Sequence, residues 1–178
     1  MNKLIYKTSD EVRNVFKDIL TKVMKDKNLC TADDIYKYSQ EISSKIYHLN
    51  GTKCITSKEA ILNTLTIMKS NLQIPTYSFV KMSQLLNFVV QIKVTNKENK
   101  TMVYTLDESN VLNHIIKSLH ETEKSAKKSC MENTVKYKSI MHLAESNLDI
   151  ALTTFNTFCD LCGVNWKIKI GNGAILYA

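Results

Sequence analysis

The chain has 178 residues, 44% of them hydrophobic and 23% charged, with a net charge of +7. That much apolar material can bury a core in one domain or two small ones, and it excludes a disordered chain. Four glycines and one proline leave little for the tight turns of an all-β fold, so a mainly helical, all-α fold is expected.

No apolar run approaches a membrane span, and the first six residues lead into polar sequence rather than a signal-peptide core. A soluble, non-secreted protein with no membrane partner is expected. Five cysteines, an odd number without framework spacing, point to free thiols in a reducing compartment. The charge is uneven, with 14 Lys/Arg against 8 Asp/Glu in residues 1–96 and 10 against 9 in residues 97–178. Such a surplus suits an anionic partner, or serves solubility. Of the 24 basic residues only Arg13 is arginine. Arginine makes the commonest bidentate contact to guanine, so a nucleic acid bound here would be read by backbone and shape.

In chain order, Thr8-Ser9-Asp10-Glu11 forms a capping-box start, after which Val12, Val15, Phe16, Ile19 and Val23 recur on one helical face. Thr31-Ala32-Asp33-Asp34 opens a second helix with Ile35, Tyr38, Ile42 and Ile46 inward, and Asn50-Gly51-Thr52 breaks it. Thr56-Ser57-Lys58-Glu59 caps a third, carrying Ile61, Leu65 and Met68. Pro75 reads as a first-turn proline heading a fourth helix with Phe79, Met82, Leu85, Leu86 and Val89. Val89 to Val94 and Thr101 to Leu106, β-branched stretches around the polar run Asn96 to Lys100, also fit a hairpin. The polar run marks the expected boundary between an N-terminal helical subdomain, 1–97, and a C-terminal one, 98–178. Asp107-Glu108-Ser109-Asn110 starts the clearest helix, with Val111, Leu112, Ile115, Ile116 and Leu119 on one face. Ile140, Met141 and Leu143 follow a lysine-rich stretch. The chain closes on Gly171-Asn172-Gly173 and an apolar tail, which reads as a short hairpin or as a broken helix that docks on a neighbour.

Ser70 to Val94 recurs 76 residues later as Ser146 to Ile170 without a gap, with eight of the twenty-five paired positions identical. Phe79/Phe155, Leu85/Leu161 and Ile92/Ile168 are spaced as helix-face positions, and the Ser-Asn-Leu-x-Ile start reads as packing. A unit this long implies two similar small helical subdomains related by internal duplication.

Chemical constellations are sparse. Cys159-x-x-Cys162 has metal-like spacing, and His142, His120 and Cys130 would complete a zinc site. The same two cysteines fall on the apolar face of a helix beside Phe155 and Phe158, where they read as core, and that reading is preferred. No Gly-rich phosphate loop exists, and none of the four histidines has a sequence-evident Ser, Cys or carboxylate partner. No catalytic residue, metal or cofactor is therefore expected. Lys124, Lys127, Lys128, Lys136 and Lys138 cluster within fifteen residues and read either as a solvated face or as phosphate contacts.

Ser70-x-Leu72-x-Ile74-Pro75, Met82, Ile92-Lys93-Val94-Thr95, His142, Glu145, Asn165-x-x-Ile168-Lys169-Ile170 and Ile175-Leu176 together resemble the small RNA-silencing suppressors of beet yellows virus and its relatives in the Closteroviridae. The similarity is scattered over about half the chain, and residues 1–69 match only in helical character. The resemblance implies an α-helical fold of two similar subdomains. It further implies a homo-oligomeric ring whose basic inner face binds double-stranded RNA, siRNA included, in the host cell cytoplasm. Lys93 and Lys169 match the family's basic position in both copies, and Lys167 is two residues from Lys169. A-form RNA hides its base edges, so a binder of any siRNA contacts phosphates and 2′-hydroxyls, for which lysine suffices. The competing expectation is a helical adaptor that binds a host protein through its apolar C-terminal tail or a groove between subdomains.

Overall fold

The computed structural model describes residues 9–50, 58–122 and 134–172, with side chains described over 10–41, 58–122 and 135–171. The all-α expectation is overturned. Among the described residues there are seven helices and a three-stranded antiparallel sheet. The fold is mixed α and β.

The helices are α1 (Ser9–Asp26), α2 (Ala32–Asn50), α3 (Lys58–Lys69), α4 (Thr76–Leu85), α5 (Val111–Thr122), α6 (Thr134–Glu145) and α7 (Leu152–Cys162). The strands are β1 (Phe88–Thr95), β2 (Thr101–Thr105) and β3 (Asn165–Asn172), in the spatial order β2-β1-β3. Packing divides the described chain into two units, one of residues 13–89 with 171–172, the other of residues 9–12 with 90–170.

In the first unit, α1 buries Val15, Phe16, Ile19, Leu20 and Val23, as its period requires. Phe16 stacks on Phe79 of α4 with centroids 3.9 Å apart, and Phe79 meets Phe88 edge-on at 6.1 Å. Helix α2 packs on α3 and α4. Its start is a reciprocal cap: the Asp34 N–H donates to Thr31 Oγ1 at 3.1 Å, and the Thr31 N–H donates back to Asp34 Oδ2 at 2.8 Å. The expected capping residues Thr8, Thr56 and Ser57 lie outside the described residues. Pro75 stands one position earlier than expected, at the N-cap of α4, with φ −60° and ψ 146°.

In the second unit, α5 packs on α6, α7 and β2. It begins at Val111, because residues 108–110 form a bend and turn rather than its first helical turn. Leu112, Ile115, Ile116 and Leu119 are fully buried. Asn113 is buried beside them, and its Nδ2 donates to the Leu148 carbonyl at 2.9 Å, tying α5 to the chain that leaves α6. Tyr137 of α6 and Phe158 of α7 meet at 5.3 Å, and Phe155 meets Trp166 edge-on at 5.7 Å.

The sequence recurrence has an element-by-element counterpart. Helices α3 and α6 begin and end 76 residues apart, α4 and α7 begin 76 apart, and each second helix runs into a strand. Ile61/Tyr137, Thr64/Ile140, Met68/Ala144, Ile74/Ile150, Phe79/Phe155 and Met82/Phe158 are buried in both copies. Three expectations for the recurrence are corrected. Ile92 and Ile168 lie in strands, not on helix faces. Leu72 and Leu148 are exposed, at 68% and 55%, rather than packed. Leu161 is half-buried where its counterpart Leu85 is buried.

The hairpin of β1 and β2 pairs Gln91 with Thr105, Lys93 with Val103 and Thr95 with Thr101 around the loop Asn96 to Lys100. Asn96 holds that loop, its Oδ1 accepting from the Glu98 and Lys100 N–H groups at 3.0 and 2.9 Å. The C-terminal segment Gly171-Asn172, read as the start of a turn or broken helix, belongs to β3, and residues 173–178 lie outside the described residues.

Candidate nucleic-acid interface

Strand alternation decides where the lysines point. Ile92, Val94 and Ile168 are buried, so the intervening residues of β1 and β3 project from the opposite face of the sheet. Lys93 and Lys169 are exposed there and Lys167 is half-buried. Reversing the register would expose Ile92 and bury Lys93. It would forfeit roughly 2–3 kcal/mol of apolar burial and desolvate an ammonium group at a cost of several kcal/mol more. The lysine-out arrangement is therefore the one that folds.

The open face takes Gln91, Lys93 and Thr95 from β1, Thr101, Val103 and Thr105 from β2, and Lys167 and Lys169 from β3. No carboxylate occurs in any of the three strands. The hydroxyl oxygens of Thr95 and Thr101 lie 3.1 Å apart, next to the Lys93–Val103 pair. A face with the exposed ammonium groups of Lys93 and Lys169, several hydroxyls and no carboxylate from its own strands suits a ligand rich in phosphates and hydroxyls. Sequence reading missed Gln91, Thr95, Thr101 and Thr105. The signal that finds them is the alternation on both sides of the Asn96 to Lys100 run, once it is paired as a hairpin.

The other lysines fall elsewhere. Lys136 and Lys138 are exposed on α6, on either side of the buried Tyr137, and two residues apart on a helix they do not share a face. Lys124, Lys127 and Lys128 lie outside the described residues.

Cys159 and Cys162 are fully buried on α7. Burial pushes the Cys159 thiol well above its usual range, and the neighbouring Cys162 and Asp160 push it further. A thiol so placed is held protonated, which suits a core side chain. Among the described residues no three His, Cys, Asp or Glu side chains gather to hold a metal ion. His120 Nδ1 lies 2.8 Å from the Tyr137 hydroxyl, and His142 is exposed on α6. Cys130 is outside the described residues. No described helix is long and apolar enough to cross a membrane.

Comparison with known proteins finds no matching family model, no matching curated protein and no matching solved structure. The functional reading therefore rests on the chemistry of the sheet face and on the resemblance noted in the sequence.

Proposed function

We propose that this protein is a non-catalytic, sequence-independent binder of double-stranded RNA that uses the open face of its sheet and suppresses RNA silencing by sequestering duplexes. The observation that carries the reading is the pair Lys93 and Lys169. They stand 76 residues apart in the sequence recurrence, are both exposed, and lie on adjacent strands whose own sequences carry no carboxylate. Lysine is a point charge suited to backbone phosphate and poorly suited to base edges, and hydroxyl side chains can meet 2′-hydroxyls. With Lys167 the face has three cations for one stretch of backbone, and a duplex presents the same phosphate array whatever its sequence.

The test is a gel-shift titration of the full chain against two RNA duplexes of unrelated sequence. The expected outcome is equal affinity for both, and a loss of roughly tenfold, the same for each, in the Lys93→Ala/Lys169→Ala double variant. Absence of any shift at low salt, or a preference of one sequence over the other, contradicts the proposal. So does retention on anionic lipid vesicles without binding to either duplex.

A further inference from the structure

Among the described residues strand β2 ends the sheet, and the hydrogen bonds of the hairpin determine which of its backbone groups face away from β1. The Asn96 N–H donates to the Lys100 carbonyl at 3.0 Å, and the Leu106 N–H donates to the Val90 carbonyl at 2.8 Å. In an antiparallel pair the bonded positions alternate, so Lys100, Met102, Tyr104 and Leu106 turn their backbone groups toward β1. Thr101, Val103 and Thr105 turn theirs outward. Each offers one N–H and one C=O, and none of these six groups has a backbone partner among the described residues outside the ladder.

The two edges of the sheet are treated differently. Strand β3, at the far edge, carries Lys167 and Lys169, the kind of charge that discourages a further strand from pairing. Strand β2 is Thr-Met-Val-Tyr-Thr, uncharged, without proline, made mostly of strand-favouring residues, and its Val103 is 55% exposed. Its sequence is also nearly symmetric about Val103. If a second β2 runs antiparallel to the first and is centred on Val103, Thr101 faces Thr105, Met102 faces Tyr104 and Val103 faces itself. In that register every outward residue meets an outward residue, so all six groups of each strand find partners. The side chains match as well, with Thr against Thr and Val against Val on the open face.

From this edge we infer that β2 is a dimerisation strand whose partner is the β2 of a second copy, joining two three-stranded sheets into one of six strands. A two-fold pairing of this kind keeps the open faces on the same side, so the Lys93 and Lys169 of both copies share one continuous surface. The inference stands on strand geometry and symmetry, and it holds or fails whether or not the ligand is RNA.

Light scattering coupled to size-exclusion chromatography of the full chain at about 100 µM, where complexes weaker than micromolar are populated, tests it without any RNA. The expected mass is twice the 20.4 kDa of the chain. Val103→Glu sets two carboxylates against each other across the two-fold while placing one beside Lys93 within the chain, so it should give the single-chain mass with an unchanged far-UV spectrum. Val103→Pro removes an outward N–H that β1 does not use, and should do the same. A wild-type chain that runs as a monomer, or an assembly whose mass both variants leave unchanged, overturns the inference.

Discussion

Asn87 and Gly163 occupy corresponding places after α4 and α7, and both adopt left-handed backbone, at φ 50° and 65°. The Asn87 N–H donates to the Gln84 carbonyl and the Gly163 N–H to the Asp160 carbonyl, each at 3.1 Å, so each closes its helix and turns the chain into a strand. Asparagine and glycine are the residues that take this conformation most readily. The side chain of Lys97 lies over Gly163, where an added Cβ would press on its flexible end. Gly163→Ala should therefore cost about 1 kcal/mol in urea unfolding, mostly through backbone strain. Gly163→Asn, the residue the other copy uses, should cost visibly less. Equal losses for the two variants would contradict this account.

At the scale of elements, the cap of α2 sets an acid-side dependence on pH. The Asp34 carboxyl is held below its usual range by the Thr31 side chain foremost, then by the Thr31 and Cys30 N–H groups, with a smaller contribution from Lys37. A depressed carboxyl stabilises the fold fully above its unfolded pKa, and that contribution is lost as pH falls through the lower folded value. The difference in Tm between wild type and Asp34→Asn should thus be complete at neutral pH and close below about pH 4. A difference that persists unchanged at acid pH would assign the effect to packing instead.

The helices were legible because caps and periodicity agreed, as at Thr31 to Asp34 and across Val15, Phe16 and Ile19. The strands were hidden by continuity. Helix α4 gives way to Phe88-Val89-Val90 after only Leu86 and Asn87, all of Phe88 to Val90 are buried, and Ile92 falls at helical spacing from Leu85 and Phe79. A fully apolar run does not reveal its period, and the left-handed Asn87 that ends the helix is visible only in the backbone. In β3 the alternation of Trp166, Ile168 and Ile170 with Lys167 and Lys169 is a strand signal, masked by the helix-like spacing of Phe155, Leu161 and Ile168. Lys93 and Lys169 were legible as a pair through the recurrence. Their shared face was not, because it depends on β1 and β3 becoming neighbours, a non-local pairing that no local pattern encodes. Leu72 and Leu148 carry the opposite lesson, since residues recurring in both copies are exposed in both.

At the scale of the molecule, the unit of residues 90–170 holds a sheet that buries Ile92, Val94 and Ile168 and leaves its other face polar and cationic. Under the proposed function, the net charge of +7 would act as a long-range attraction for the RNA duplex and the sheet face as its contact surface. Binding that consists of phosphate neutralisation has a quantitative signature in its salt dependence. The most direct measurement is the slope of log affinity against log salt concentration for one RNA duplex, in wild type and in Lys93→Ala/Lys169→Ala. If both lysines neutralise phosphates, the double variant's slope should be shallower by about two, near 0.9 for each lost contact. A slope that the double substitution leaves unchanged would contradict the sheet face as the site of binding.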